Sequence, residues 1–162
     1  MAVSPGKWLT DNAYDYPTMA RYLFCPLLDK VKKIFFTSSA LDYINVMTKD
    51  NAGSWDKTTT HNAGFDWATQ GMQFWAQQGV AKSKLLMGIP FYGISFSLQN
   101  PSQHGLDAPV SGSSGAITYH QICNSVKHEG WTKERSKDGP IAYHGSQWVG
   151  YDDPISAAAY VH

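Results

Sequence analysis

The stretch that decides the fold is residues 41–91, which read LDYINVMTKDNAGSWDKTTTHNAGFDWATQGMQFWAQQGVAKSKLLMGIPF. Its two apolar runs, 41–47 and 85–91, are interpreted as strands buried on both sides. Between them, residues 65–78 place apolar side chains at three- and four-residue spacings, which predicts an amphipathic helix, and Gly79 is suited to the left-handed cap that ends it. A strand, a helix of crossover length and a second strand form a βαβ unit, so the two strands are predicted to be parallel neighbours.

The chain before this unit shows two local signals. Residues 2–4 are interpreted as the end of a strand that stops at the loop formers Pro5 and Gly6. Pro17 is suited to the first turn of a helix, and apolar residues follow it.

The chain after this unit has a different texture. Residues 95–115 are rich in Gly, Ser, Pro, Asn and Gln, which predicts a long loop or a domain boundary. Thr118 and Gln121 have the spacing of a capping box, so a short helix is predicted to begin there and to end at Gly130.

Short strands are then predicted at 141–143 and 147–149, joined by a two-residue turn, Gly145-Ser146. Asp152 and Asp153 before Pro154 indicate the start of another helix, because acidic side chains are favoured at its positive end. The second half is therefore predicted to be a small antiparallel α+β unit, and the first half parallel α/β.

Composition excludes several classes of function. The 13 basic and 13 acidic side chains cancel, whereas nucleic acid or an anionic membrane would select a basic excess, so neither is expected as a partner. No apolar run approaches the roughly 18 residues that span a bilayer. The first residues lack the pattern of a secretory signal peptide.

Metal and cofactor sites are not predicted either. Cys25 and Cys123 are too few for a disulfide framework and are interpreted as two ordinary thiols. His120 and His128 are eight residues apart, not at the i, i+4 spacing that places two ligands on one helix face. We assign no metal and no cofactor.

Six strings of residues, taken together and in this order, resemble the glycoside hydrolase family 18 chitinases. They are Ala2-Val3-Ser4 with Gly6-Lys7, Asp11-Asn12-Ala13-Tyr14-Asp15, residues 41–47 with Asp50 and Gly53-Ser54-Trp55-Asp56, residues 84–93 with Ser95-Phe96, Ala108-Pro109-Val110-Ser111-Gly112, and residues 147–154. The resemblance implies α/β architecture: part of a (β/α)8 barrel with a small α+β insertion domain.

The resemblance also implies a division of the chain. Residues 1–94 correspond to the end of strand five through strand seven of the barrel, 95–154 to the insertion domain, and 155–162 to the start of the next barrel helix. Within the first part, residues 24–40 are an atypical insertion of 17 residues between sequences that are continuous in the family. It is either a surface loop or an artefact of the gene model.

The family reaction implied is hydrolysis of β-1,4 linkages between N-acetylglucosamine units in chitin, by a substrate-assisted retaining mechanism. Its proton donor lies in an Asp-x-x-Asp-x-Asp-x-Glu string, which this sequence does not contain. General acid catalysis contributes about 10²- to 10⁴-fold. We therefore expect the polypeptide alone not to hydrolyse chitin, and no catalytic residue is assigned.

The resemblance implies a set of substrate-binding residues at the carboxyl ends of barrel strands, where such sites lie. The positions that match family cleft residues are Met47, Asp50, Trp55 and Tyr92. Two further positions are altered: Lys49 replaces a tyrosine that contacts the acetamido group, and Ile94 replaces a sugar-contacting arginine.

Structural interpretations of the same residues stay open. Asp50 is alternatively a solvated aspartate after a strand, Trp55 and Tyr92 are alternatively aromatic residues that cap a core, and Trp148 and Tyr151 are predicted to belong to the core of the α+β part.

Three hypotheses about function follow. The first is a fragment of a chitinase that supplies cleft wall and insertion domain and binds chitin or N-acetylglucosamine oligosaccharides. The second is a non-catalytic, lectin-like chitin-binding protein, and the third is a truncated gene product without independent function. The family implies an extracellular location. Open barrel edges predict self-association.

Overall fold

The computed structural model describes residues 2–3 and 41–160. The predicted loop at Pro5 and Gly6, the helix from Pro17 and the insertion 24–40 lie outside these residues. The strands of the described part are β1 (Ala2–Val3), β2 (Ile44–Val46), β3 (Leu85–Met87), β4 (Tyr92–Leu98), β5 (Val110–Thr118), β6 (Thr132–Ser136), β7 (Gly139–His144) and β8 (Gln147–Gly150). Its helices are α1 (Phe65–Gln77), α2 (Tyr119–His128) and α3 (Pro154–Ala159), with a 3-10 turn at Lys82–Lys84. None of these helices has the length and apolar character that a membrane crossing requires.

The first of two compact units holds, of the described residues, 2–3, 41–48 and 68–88. Its sheet has the order β1-β2-β3, and both pairs are parallel, with Val46 opposite Met87. The predicted βαβ unit is therefore confirmed. Its core is formed by side chains of the sheet and of α1 together, namely Ile44, Val46, Trp75, Val80 and Leu85.

The prediction that these strands are buried on both sides is wrong. Ile44 and Val46 are buried, but Asn45 between them is exposed, and Leu86 in β3 is 44% exposed. Successive side chains of a strand point to opposite faces, and α1 covers only one face of this sheet. β3 also ends at Met87 rather than at residue 91, and Pro90, which has no N–H, could not donate to a longer ladder.

The end of β2 is fixed by polar contacts within the first unit. The Thr48 hydroxyl donates to the carbonyl oxygen of Gly88 at 2.8 Å, and the Gly88 N–H donates to Val46 at 2.9 Å. Helix α1 ends as predicted, with Gly79 at a φ of 91°. This left-handed conformation costs a glycine little.

The second unit holds residues 49–67 and the described residues from Ile89 onward. Its antiparallel sheet has the order β5-β4-β8-β7-β6. The predicted hairpin is confirmed as β7 and β8, which pair His144 with Gln147 around Gly145. Trp148, at 0% exposure, lies in the core with Phe96, and Tyr151 is buried in a second cluster with Ile122, as expected for the α+β part.

The predicted loop over residues 95–115 is wrong for most of its length, because β4 and β5 pair with each other there. Serine side chains stabilise this ribbon by donating across it: Ser95 to the carbonyl of Gly115 at 2.9 Å and Ser113 to that of Ser95 at 3.0 Å. A composition typical of loops therefore forms strands here, since the small polar side chains bond to the backbone of the neighbouring strand.

Strand β6 was not predicted, because its sequence TKERS has no apolar residue. It pairs with β7, and its Lys133 and Arg135 side chains both bond to the buried carboxylate of Asp153, at 2.9 and 2.8 Å. Asp153 also accepts from the Ser156 N–H at 2.9 Å and so caps α3, the helix start that the sequence predicts. The cap of α2, Thr118 with Gln121, is confirmed as well.

Candidate sugar-binding site

Asp50 lies in a turn that leaves its carboxylate exposed. Its φ is 64°, a left-handed conformation that is uncommon for residues other than glycine and that often marks a functional turn. The next residue, Asn51, donates its N–H to the carbonyl of Asn62 at 3.0 Å, and Ala52 is buried in the core with Phe96. The residues that follow Asp50 thus fix the turn to the second unit, and the side chain of Asp50 itself remains 52% exposed.

Three side chains of the second unit form one hydrogen-bonded cluster, which we call the Lys49–Asp50–Tyr92 cluster. Lys49 Nζ donates to Asp50 Oδ2 at 2.5 Å and to the Tyr92 hydroxyl at 3.3 Å. The Tyr92 hydroxyl in turn donates to Asp50 Oδ1. Tyr92 is the first residue of β4, so the sheet fixes one corner of the cluster and the Asp50 turn fixes another.

The hydrogen bonds of the cluster shift the pKa values of its three side chains. Partial burial would raise the pKa of the Asp50 carboxyl, but the hydrogen bonds from Lys49 and Tyr92 outweigh burial and hold that pKa below its usual value. The hydrogen bond to Asp50 raises the pKa of the Lys49 ammonium, and burial together with the Asp50 contact raises that of the Tyr92 hydroxyl. At neutral pH the cluster is therefore a carboxylate, an ammonium and a neutral phenol, and Asp50 has no proton to give to a substrate.

Trp55 offers a flat apolar surface in the same unit. It is 67% exposed, so it is not a residue that caps the core. Its ring lies against Gly53, where a Cβ would come within 2.2 Å of the indole. The turn that carries it is closed by the Gly53 N–H, which donates to Asp56 Oδ2 at 2.8 Å. An exposed indole held in this way can stack on the CH face of a pyranose.

The two remaining positions differ in character. Met47 follows β2 in the first unit and is 39% exposed. Ile94, in β4, is partly buried and packs against the core cluster that contains Phe96 and Trp148. Ile94 therefore stabilises the sheet, and its apolar side chain offers no hydrogen bond to a sugar.

A separate pocket of about 260 Å³ lies elsewhere in the second unit. Its lining is mainly apolar and consists of Ile89, Pro90, Phe91, Tyr119, Asp152, Asp153, Pro154 and Ala157. Burial raises the pKa of Asp152 to about 6, which would suit a general acid, but this side chain is 5% exposed and accepts a hydrogen bond from Tyr160. A pocket with so few accessible polar groups is poorly matched to a sugar.

The sequence missed the role of Lys49 as a tether of Asp50. From the sequence, Lys49 was interpreted only as the replacement of a family tyrosine. The structure brings Lys49 together with two of the expected sugar contacts, Asp50 and Tyr92. The adjacent pair Lys49-Asp50 was the available signal, but adjacency alone does not establish contact. Tyr92 lies 43 residues from Lys49 in sequence, so only the fold shows the cluster.

Comparison with known proteins identifies the family of this chain. The model of the glycosyl hydrolases family 18 matches residues 2–162. A probable chitinase 10 of Drosophila melanogaster is 36% identical over 94% of this chain and 7% of its own length.

Solved structures agree with this match. A class V chitinase mutant from Cycas revoluta, in complex with (GlcNAc)3, has a TM-score of 0.78 and 29% identity over 99% of this chain and 45% of its own. A chitinase-like agglutinin from Robinia pseudoacacia has a TM-score of 0.75 and 31% identity over 99% of this chain and 44% of its own. This chain thus spans less than half the length of these similar proteins.

These likenesses confirm the predicted fold class, part of a (β/α)8 barrel with a small α+β domain, and they agree with the parallel sheet of the first unit and the antiparallel sheet of the second. The chain belongs to the glycosyl hydrolases family 18.

Proposed function

We propose that the Lys49–Asp50–Tyr92 cluster and Trp55 form part of a cleft wall that binds chitin or N-acetylglucosamine oligosaccharides. The observation that carries the proposal is the exposed Lys49–Asp50–Tyr92 cluster, with the exposed Trp55 ring five residues after Asp50 in the same unit. Sugars offer hydroxyl and amide groups to hydrogen bonds and CH faces to aromatic rings, and these two features supply both kinds of contact. Met47 is proposed as a further contact.

The relatives support this choice of ligand. The Cycas revoluta structure contains an N-acetylglucosamine trimer, and the chain that holds it is similar to this one over nearly all of this sequence. The parent reaction we propose is that of the family, hydrolysis of β-1,4 linkages in chitin. An extracellular location, which the family implies, is part of the same proposal.

A non-catalytic, lectin-like role is the second candidate. It is favoured by the likeness to the Robinia pseudoacacia agglutinin. In either role we expect the 162-residue chain to bind sugar without releasing any from a chitooligosaccharide.

Titration of the 162-residue chain with (GlcNAc)3, followed by tryptophan fluorescence and by calorimetry, tests the proposal. Wild-type protein should bind, Asp50→Ala should weaken binding, and Trp55→Ala should weaken it and also remove most of the fluorescence change. Far-UV circular dichroism checks that each variant is folded. A folded wild-type chain that binds no trimer would contradict the proposal and leave the third hypothesis, a product without independent function. Release of sugar would contradict the expected lack of hydrolysis.

The division into residues 1–94, 95–154 and 155–162 remains a proposal. Strand β4 runs without interruption from Tyr92 to Leu98 and so continues across residue 94. Within residues 41–160, limited proteolysis should therefore spare this junction and cut first in the exposed segment around residues 99–103. Early cleavage between Tyr92 and Leu98 would contradict the strand.

Self-association through an open strand edge is also proposed. Among the described strands, β3 pairs only with β2, and its Leu86 is exposed. By contrast, the edge strand β6 carries Lys133, Glu134 and Arg135, charges of the kind that block edge pairing. Of the two edges β3 and β6, association is therefore expected at β3.

A further inference from the structure

We propose that neutral His61 is a positioning residue of the sugar site, which holds the Asp50 turn in place and releases it when the imidazole ring takes up a second proton. Sugar binding is then weakened in acid. The inference rests on the proposed function, because His61 acts on a ligand only through the turn. His61 itself is 2% exposed and is too deeply buried to contact a sugar.

The ring of His61 has both of its nitrogen atoms in use. Nε2 donates to the carbonyl oxygen of Tyr151 at 2.8 Å, and Nδ1 accepts from the Ala63 N–H at 3.2 Å. A neutral imidazole has one N–H and one lone pair, so these contacts match the tautomer with its proton on Nε2. An imidazolium would direct a second N–H at the Ala63 N–H, which leaves two buried donors facing each other.

The ring has little room to turn away from this conflict. A Cβ at Gly139 would come within 2.6 Å of Nε2, and one at Gly150 within 3.3 Å of Cδ2. Glycines at these positions, in β7 and β8, therefore let the backbone of the sheet pack closely against the imidazole. Because rotation of the ring alone cannot relieve the conflict, the backbone of residues 61–63 has to move when His61 is protonated.

The same segment carries the hydrogen bonds that hold the Asp50 turn. The Asn51 N–H donates to the carbonyl oxygen of Asn62 at 3.0 Å, and the side-chain amide of Asn51 donates to the carbonyl oxygen of His61 at 3.5 Å. Both bonds start at the residue directly after Asp50, whose φ of 64° needs support from its surroundings. Movement of residues 61 and 62 therefore lets the turn relax and separates the Asp50 carboxylate from Tyr92.

The groups around His61 determine the pH at which it is protonated. Burial lowers the pKa of His61 below its usual value of 6.5, and the Arg135 guanidinium of β6 acts in the same direction. The Tyr151 carbonyl and the Asp138 carboxylate, in the turn between β6 and β7, raise this pKa and offset part of the effect. The ring is therefore neutral at neutral pH and takes up its second proton below pH 6.5.

Asp152 is a second group that titrates in this range and that reaches the same segment. Burial raises the pKa of Asp152 to about 6. The Tyr160 hydroxyl contacts Asp152 Oδ1 at 3.1 Å and the carbonyl oxygen of Ala63 at 2.6 Å. Separate variants are therefore needed to assign an effect of pH to His61 or to Asp152.

Calorimetric titration of the 162-residue chain with (GlcNAc)3, from about pH 7.5 to about pH 4.5, tests the proposal. The trimer has no group that titrates there, and Asp50 stays ionised because its pKa is held below 3.8. Wild-type affinity should fall by at least about threefold in acid, since only molecules with neutral His61 hold the turn. His61→Gln keeps a neutral donor for Tyr151 and gains no proton, so it should bind as wild type does at the higher pH and retain that affinity in acid.

Two control variants keep the histidine at residue 61. Asp152→Asn removes the titration of Asp152, and His128→Gln removes an exposed histidine in the last turn of α2. Both should show the same loss of affinity in acid as wild type.

NMR of the unliganded wild-type chain checks the coupling without sugar and without a variant. Over the same pH range, the ring carbon shifts of His61 and the backbone amide shifts of Asn51 and Asn62 should change with one midpoint. Far-UV circular dichroism checks that the chain is folded at each pH. If His61→Gln does not fold, these wild-type midpoints remain decisive.

The outcomes separate this inference from the proposed function. If the wild-type chain binds the trimer equally well at both ends of the pH range, the role of His61 is refuted and the sugar site stands. The same holds if Asp152→Asn abolishes the loss in acid while His61→Gln keeps it, or if His61 and Asn51 titrate with different midpoints. If the folded chain binds no trimer at any pH, the proposed function fails, and the midpoints of the unliganded chain still decide whether His61 holds the turn.

Discussion

Trp148 and Trp55 belong to the same unit and have opposite environments. Trp148, in the middle strand β8 of the five-stranded sheet, is fully buried against Phe96, and its indole N–H donates to the carbonyl of His104 at 2.9 Å. Trp55 is 67% exposed on a turn closed by Asp56. The contrast separates the buried side chains of the sheet, which form the core of this unit, from the exposed side chain of Trp55, which we propose as a contact to sugar.

The largest expected effect comes from truncating the buried indole. Trp148→Ala should lower the free energy of unfolding by about 3–5 kcal/mol, because it leaves a cavity in the core and an unpaired carbonyl at His104. Trp55→Ala should change it by less than about 0.5 kcal/mol. Urea unfolding followed by circular dichroism measures both. Equal losses for the two variants would remove the distinction between core and ligand surface.

The second effect concerns pH and the buried carboxyl of Asp152. Its pKa is raised to about 6 by burial, so the folded state binds a proton that the unfolded chain has already lost above about pH 4. Stability is therefore lost as pH rises from 4 to 6. The side chain in Asp152→Asn carries no charge at any pH. The free energy of unfolding of this variant minus that of wild type should therefore be about 2–3 kcal/mol larger at pH 7 than at pH 4.

Urea unfolding at the two pH values measures this difference. Gln103→Ala, at an exposed residue that carries no titratable group, is the control and should differ from wild type by the same amount at both pH values. A difference between Asp152→Asn and wild type that is the same at pH 4 and pH 7 would show that Asp152 is ionised normally.

A smaller effect is expected at the exposed turn. A Cβ at residue 53 would collide with the ring of Trp55 at 2.2 Å, so Gly53→Ala should displace the indole. We expect (GlcNAc)3 to bind about three- to tenfold more weakly, while the free energy of unfolding changes by less than about 0.5 kcal/mol. Gly112→Ala is the matched control, because nothing lies within 4 Å of the added Cβ. Unchanged affinity in Gly53→Ala would count against Trp55 as a stacking surface.

The smallest expected effect on the fold comes from a charge on the exposed strand edge. Leu86→Lys should leave the free energy of unfolding nearly unchanged and should increase the fraction of monomer in analytical ultracentrifugation. Ile155→Lys, at a similarly exposed apolar residue of α3, is the control. If Ile155→Lys increases the monomer fraction and Leu86→Lys does not, association occurs through α3 and not through the edge of β3.

Local signals predicted the parts of the fold that depend on neighbouring residues. Gly79 at the end of α1, the capping box of Thr118 and Gln121, and the turn at Gly145 all lie where the sequence placed them, because each depends on contacts a few residues apart. The strands of residues 95–98 and 110–115 and the whole of β6 were missed, since their polar side chains are satisfied by a partner strand that only the fold supplies.

The candidate site was likewise predicted in part from the sequence, and the rest of it is visible only in the fold. The family resemblance pointed to Asp50 and Tyr92, and they do meet, but no local pattern could show that Lys49 bonds to both. The burial of Ile94 was equally hidden, because the core that it packs against includes residues from β4, β5, β7 and β8, which are distant in sequence.

The central claim is that sugar binds at the exposed turn and the start of β4. Backbone amide chemical shifts of the 162-residue chain, recorded by NMR during a titration with (GlcNAc)3, test it most directly. The account predicts that the largest shift changes fall on Lys49, Asp50, Trp55 and Tyr92, with little change at Trp148 and around the apolar pocket at Phe91 and Ala157. Shift changes concentrated at that pocket, or none in a folded chain at millimolar sugar, would contradict it.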